Sequence, residues 1–280
     1  MRDEAEYHGA GEAVGRDARR RRDAEGVGVK PRKELGQHFL VDENLLGVID
    51  RLAALHPADV VLEIGPGLGV LTRYLASRVA FVHAVEIDRS LLPHLPELPN
   101  VRIELGDALR LDLAALAPPP GKFVANLPYN VATPIVVESL DGLPSIECWC
   151  VMVQREVADR FFASPGTKAY GAVSVLVQLA AERTGFHPVS RTVFRPPPNV
   201  DSALVAFRRR ELPDRFRAVK RLVEAAFAHR RKTLPNSLGL VGFADRPRAV
   251  EALARLGRSP STRAEALAPP DFVELERLLA

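Results

Sequence analysis

The chain has 280 residues, 47% of them hydrophobic and 26% charged, with a formal net charge of +3. This is length enough for one large domain or a large domain with a small companion, and the balance is that of a globular protein. No apolar run approaches the roughly 18 residues that suggest a membrane span, and the polar, charged beginning does not read as a secretory signal.

Residues 1–29 are rich in Gly, Ala and charge and lack apolar periodicity, so a disordered tail is expected there. The run Arg19–Arg22 raises the question of an organellar transit peptide. Such peptides avoid acids, whereas Asp3, Glu4, Glu6, Glu12, Asp17, Asp23 and Glu25 are interspersed here. A cytoplasmic protein is expected.

From Pro31 a pattern emerges. K-E-L-G-Q-H-F-L-V-D opens as a loop, and Asp42 then caps an amphipathic helix with Leu45, Leu46, Ile49 and Leu52 on one side. Short apolar runs alternating with helical segments follow at 59–64, 81–86, 101–105, 122–126 and 148–153. Apolar runs without strict polar alternation indicate strands covered on both faces, as in a doubly wound parallel sheet. Cys148 and Cys150 fall in the last of these runs. A redox pair or metal site is the alternative, but alternation along a strand spaces them poorly for a disulfide, so they read as buried small hydrophobes. No metal is implied.

Two further β-like runs, F-H-P-V-S-R-T-V-F (186–194) and S-A-L-V-A-F-R-R (202–209), are joined by a loop and suggest an antiparallel edge. After Pro213 only helical spacing remains, around Phe216–Phe227, Val250–Leu256 and Phe272–Leu279. The expected organisation is an α/β domain over 30–211 and a small all-helical domain over 212–280. Between Arg183 and Lys232 there are 13 Lys/Arg against 4 Asp/Glu. Such a stretch is either a solvated face or, beside a base-reading site, a phosphate-binding surface.

The motif V-L-E-I-G65-P-G67-L-G69 follows the first of the sheet strands and opens a helix. Glycines there permit a tight turn and close backbone approach to a ligand. The spacing is G-x-G-x-G, not the dinucleotide G-x-G-x-x-G. Glu86 ends the second strand, where a carboxylate can accept both ribose hydroxyl protons, and Asp107 follows the third, where it could accept from an adenine amine. A ribose and an adenine without a phosphate fit S-adenosylmethionine, which makes the sheet Rossmann-like and of the class I methyltransferase kind.

The segment N126-L-P-Y129-N130 directly follows the fourth strand and so faces the same crevice. Adenine N6 is a poor nucleophile because its lone pair is delocalised into the ring. The Asn126 side-chain oxygen and a backbone carbonyl can accept both amine protons and draw the nitrogen toward tetrahedral geometry, with Pro128 stiffening the loop. Tyr129 offers a face for a splayed-out base. An Asx turn with a core tyrosine is the bland alternative, but the position after the glycine turn and two acids favours the catalytic reading. Phe194 could supply a second stacking face or be a core phenylalanine at a strand end. No serine or cysteine nucleophile signature is present, and His187 and His229 lack partners at readable spacing.

Taken in order, L-G-Q-H-F-L (35–40), E-I-G-P-G-L-G (63–69), N-L-P-Y-N (126–130), Q-R-E-V-A-D-R (154–160), K-A-Y-G (168–171), F-R-P-P-P-N-V-D-S-A (194–203) and A-F-A-H-R-R-K-T-L-P-N-S-L (226–238) resemble the ribosomal small-subunit RNA adenine N6-dimethyltransferase family. The resemblance implies S-adenosylmethionine-dependent dimethylation of two adjacent adenosines in the 3′-end hairpin loop of small-subunit (16S) ribosomal RNA. It implies a role in small-subunit biogenesis, with the assembling subunit as partner, no membrane, no metal and a monomeric chain. It makes His38, Leu40, Gly65, Gly67, Glu86, Asp107 and Asn126 cofactor contacts. Asn126, Leu127, Pro128, Tyr129 and Phe194 would hold the target base, and Arg230, Arg231 and Lys232 the RNA. His38 departs from the family's usual Asn, Ala132 from a common Ser, and Pro235 from a usual basic residue. The alternatives are a large-subunit adenine N6-methyltransferase, a non-catalytic RNA-binding assembly factor and, against the glycine spacing, a dehydrogenase.

Overall fold

The computed structural model describes residues 31–280, so the expected tail over 1–29 lies outside the described residues. In chain order, a two-residue strand β1 (Phe39–Leu40) precedes helix α1 (Glu43–Ala53). Asp42 caps α1 by accepting from Asn44 N at 2.8 Å, as its position before the periodic segment predicts. Then come β2 (Val60–Ile64), α2 (Val70–Ala76), β3 (Phe81–Glu86), β4 (Val101–Leu105), β5 (Lys122–Asn126), α3 (Ala132–Gly142) and β6 (Cys148–Gln154). Helices α4 (Arg155–Phe161) and α5 (Ala172–Ala180) lead to β7 (Ala181–Val189), β8 (Phe194–Arg195) and β9 (Ser202–Arg209). The rest is helical: α6 (Phe216–Phe227), α7 (Leu234–Leu240), α8 (Arg246–Arg255) and α9 (Pro269–Leu279).

The main sheet has the order β4-β3-β2-β5-β6-β9-β7. β2 to β6 run parallel, while β9 pairs antiparallel with both β6 and β7. Both faces are buried along the central strands, and β6 shows how. Trp149, Val151 and Val153 enter one core cluster, whereas Cys150 and Met152 enter the other. That period-2 division between two apolar layers is why the strand reads as continuously hydrophobic. Cys148 and Cys150 are free, and burial pushes the Cys150 thiol up to about 12, which keeps it protonated and inert.

One cluster packs α1 and α2 under the sheet. The other includes α3 and α5 and continues without interruption into Phe216, Leu222, Leu253, Phe272 and Leu275 of the C-terminal helices. The helical segment therefore shares a core with the sheet.

Three boundaries differ from expectation. The run 186–194 is not one strand: β7 starts at Ala181 and ends at Val189, and Ser190 turns the chain by accepting from Thr192 N at 3.3 Å. Phe194 then joins a separate two-stranded sheet, opposite Leu40 of β1. Helix α8 begins at Arg246 rather than Val250, because Asp245 accepts from Arg248 N at 2.8 Å and Pro247 suits a first turn. Helix α7 is an addition, short and with Pro235 in its first turn.

Candidate active site

Ligands of open parallel sheets sit beyond the carboxyl ends of the strands, where the strand order reverses. From β2 the chain moves outward to β3 and β4, then returns to β5 on the other side of β2. The reversal lies between β2 and β5. The glycine turn follows β2, N-L-P-Y-N follows β5, and both border one cleft together with residues 35–40.

Gly65 and Gly67 have φ of 75° and 60°. A Cβ on Gly65 would lie 3.1 Å from the Pro128 ring, and one on Gly67 3.0 Å from the Phe39 ring. Bare backbone is thus required for the turn to touch the acceptor loop on one side and β1 on the other.

Glu86 is buried at the end of β3. Its Oε2 accepts from Gly67 N at 3.2 Å and its Oε1 from Asp88 N at 2.8 Å. Burial raises its pKa against these backbone donors. Each oxygen keeps a further lone pair, so the carboxylate can still accept from a diol. Beside it Ile87, an apolar residue 51% exposed, lines the cleft. At the end of β2, Glu63 is 1% exposed and its Oε2 has no hydrogen-bond partner among the described residues. A buried acceptor with spare capacity at Glu86, a side-chain-free turn and an apolar plate fit a ligand with hydroxyl donors and a flat ring, as S-adenosylmethionine has. Among the described residues no cluster of three or more His, Cys, Asp or Glu could hold a metal ion.

The acceptor loop is set from both sides. Asn126 Nδ2 donates to the His38 carbonyl at 3.1 Å, which leaves Oδ1 as the amide's free acceptor. Leu127 N donates to the Met152 carbonyl at 3.0 Å, and the Pro128 carbonyl accepts from Val131 N at 3.1 Å. The Leu127 carbonyl has no such partner among the described residues. The Tyr129 hydroxyl is hydrogen-bonded to Ser202 of β9, and burial raises its pKa. The His38 ring lies 5.3 Å from the Tyr129 ring at a 34° tilt, with Nδ1 donating to the Pro196 carbonyl at 2.8 Å.

His38, Leu40, Gly65, Gly67, Glu86, Asn126, Leu127, Pro128 and Tyr129 therefore line one cleft. Asp107 does not line it. It follows β4, its Oδ1 accepts from Leu109 N at 3.0 Å, and its Oδ2 is 3.5 Å from Arg110. Phe194 is fully buried in the core cluster beneath the sheet and presents no face to the cleft. Arg230 is engaged within the chain, 3.0 Å from Glu265 and donating to the Lys168 carbonyl at 2.9 Å, whereas Arg231 and Lys232 are exposed.

Sequence reasoning passes over Glu63, Ser202 and Asp88. Asp88 accepts from Gln37 Nε2 at 2.9 Å and from Ser90 N at 3.0 Å, and so pins the L-G-Q-H segment. Burial works to raise its pKa, but these donors and Arg32 hold it below the usual carboxylate range. The D-x-S cap pattern at 88–90 is the one local signal for it.

A parallel sheet with an antiparallel β9–β7 edge, and a glycine turn and acid at its switch point, define the class I methyltransferase fold. Within it, a family model described as ribosomal RNA adenine dimethylase matches residues 28–263. The chain belongs to the ribosomal RNA adenine dimethylase family. Ribosomal RNA small subunit methyltransferase A of Rubrobacter xylanophilus is 52% identical over 257 residues, covering 90% of this chain and 96% of that protein. A solved dimethyladenosine transferase from Plasmodium falciparum superposes with a TM-score of 0.69 at 25% identity, covering 85% of this chain and 96% of that one. The solved 23S rRNA methyltransferase ErmE gives a TM-score of 0.61 at 30% identity, covering 86% and 99%.

Proposed function

We propose that the protein uses S-adenosylmethionine to dimethylate N6 of two adjacent adenosines in the 3′-end hairpin loop of small-subunit ribosomal RNA, on an assembling subunit in the cytoplasm. The observation that carries this is the Asn126 amide, held by the His38 carbonyl at 3.1 Å so that its Oδ1 is the free acceptor in the cleft. The cofactor supplies an electrophilic methyl group on a sulfonium. Glu86 accepts from its ribose, Ile87 covers its adenine, and Asp107, beyond the residues that line the cleft, keeps a lone pair on each oxygen for the adenine amine.

For the acceptor base, Asn126 Oδ1 takes one N6 proton. The Leu127 carbonyl, which has no backbone partner among the described residues, takes the other. Two acceptors on one amine draw its lone pair out of the ring, and the proton leaves to water after transfer. Positioning and preorganised dipoles then supply most of the rate. Tyr129, fixed by Ser202, gives a stacking face worth about 1–3 kcal/mol. A hairpin loop suits this because its bases leave the stack cheaply.

Incubating the protein with methyl-labelled cofactor and undermethylated small subunits, then digesting to nucleosides, should yield N6,N6-dimethyladenosine from small-subunit RNA. The Asn126→Ala variant should lose at least about 1000-fold in turnover, equivalent to about 4 kcal/mol of lost amine activation, with the melting curve close to wild type. Near-normal turnover of that variant would remove the mechanism. The likeness to ErmE favours a second reading, a large-subunit adenine methyltransferase, and label confined to large-subunit RNA would select it.

A further inference from the structure

The loop from Ser190 to Val200 carries two arginines with no part in the site described above. Val41 N donates to the Val193 carbonyl at 2.9 Å, Phe39 and Leu40 pair with Arg195 and Phe194, and the His38 ring donates to the Pro196 carbonyl at 2.8 Å. These ties fix the loop to the segment that walls the cleft. Arg191 and Arg195 are both exposed there. Each folds back on its own loop through Nη1 alone, Arg191 to the Asn199 carbonyl at 3.4 Å and Arg195 to the carbonyls of Phe194 at 3.0 Å and Thr192 at 3.4 Å.

Neither guanidinium forms an ion pair among the described residues. Arg155, Arg160, Arg210, Arg215 and Arg217 each do. Main-chain carbonyls offer partial charge only, so two full positive charges stand uncompensated at the rim, with Nη2 and Nε unused.

We propose that Arg191 and Arg195 form a phosphate site that holds the backbone of the single-stranded RNA flanking the acceptor adenosine. This rests on the reading that the cleft takes that adenine. A base turned in against Tyr129 leaves its ribose and both adjoining phosphodiesters at the rim, beside the loop that His38 and β1 hold. A planar guanidinium fork matches phosphate oxygens two at a time, which a lysine does not. The site is separate from Arg231 and Lys232 on the helical segment, and the phosphates it binds are those flanking the nucleotide being modified.

The test uses full-length protein, labelled cofactor and undermethylated small subunits. Arg191→Gln with Arg195→Gln should raise KM for subunits about tenfold and leave kcat within about twofold. The slope of log binding against log salt should shrink by about 1.4 to 1.8, with cofactor affinity by calorimetry unchanged. The double lysine variant should keep the salt slope and recover only part of KM. A control with equal charge loss, Arg78→Gln with Arg102→Gln, should leave both at wild type. The inference is overturned if the glutamine variant keeps wild-type KM and slope while wild type labels adenine, or if the control shifts them as much. If wild type places no methyl on adenine N6, the reading of the cleft fails first and this inference falls with it.

Discussion

Glu63 is a carboxylic acid near the end of β2, just before the glycines, 1% exposed and with one oxygen unpartnered among the described residues. Burial, with the nearby Glu86 adding to it, pushes its pKa from 4.5 up to about 8. Between these two values the folded chain holds a proton that the unfolded chain has released. Stability from this group is therefore complete below 4.5, falls as pH rises, and is gone above about 8. The slope is at most about 1.4 kcal/mol per pH unit. Glu63→Gln keeps the shape without the titration, so its stability relative to wild type should grow between about pH 5 and pH 8.5. Thermal unfolding of both proteins across that range reads the difference, and parallel curves would reject the assignment. At this scale the sequence marks residues whose role follows from position along the chain. Glu86 and Asn126 each close a strand, and their place in the crevice follows from that. Ser202 is not legible in this way, because its partner Tyr129 is 73 residues away and nothing near either one encodes the pairing.

Among the elements, β1 is the least conspicuous and among the most connected. Two residues long, it pairs with β8, lays Phe39 against the glycine turn and presents the His38 carbonyl to Asn126. Gly67→Ala tests that coupling. The residue has φ of 60° and a new Cβ would stand 3.0 Å from the Phe39 ring, so backbone strain of about 1–2 kcal/mol comes with displacement of β1. Gly166→Ala is the control, since its φ of 79° carries the strain while nothing lies within 4 Å. Both variants should melt lower, but only Gly67→Ala should weaken cofactor binding, by about tenfold on a shift of about 1.4 kcal/mol. Equal cofactor affinity in the two would deny β1 its role. Strands β2, β3, β5 and β6 are readable from composition because each is mainly apolar and covered on both sides, whereas the edge strand β4, Val-Arg-Ile-Glu-Leu, buries none of its residues. The pair β1–β8 is not readable, for a two-residue strand has no periodicity and its partner is set by the fold. For the same reason the 186–194 run reads as one strand although Ser190 divides it.

Charge acts at the scale of the whole molecule. A net charge of +3 is small, yet the basic residues are concentrated after Arg183, so the field is directional although the sum is not. Counting arginines overstates the binding surface, because many are spent within the fold. Arg230 is the clearest case: it is 3.0 Å from Glu265 and donates to the Lys168 carbonyl at 2.9 Å, while Gly166 N donates to the Glu265 carbonyl at 2.7 Å. These contacts clamp the loop after α4 to the helical segment, across a core that both share. Arg231 and Lys232, next in the chain, are exposed and form no ion pair among the described residues. The three adjacent cations should therefore separate in experiment. Arg230→Ala should cost about 1–2 kcal/mol, the net worth of a part-exposed pair and its hydrogen bonds, and lower Tm by about 2–8 °C, with the salt slope of subunit binding little changed. Arg231→Ala with Lys232→Ala should melt as wild type does and reduce that slope by about 1.4 to 1.8, because each lost phosphate contact no longer releases counterions. Were Arg230→Ala to alter the slope as strongly as the double variant, its guanidinium would have to leave Glu265 for RNA on binding, and the clamp would be a feature of the free protein alone.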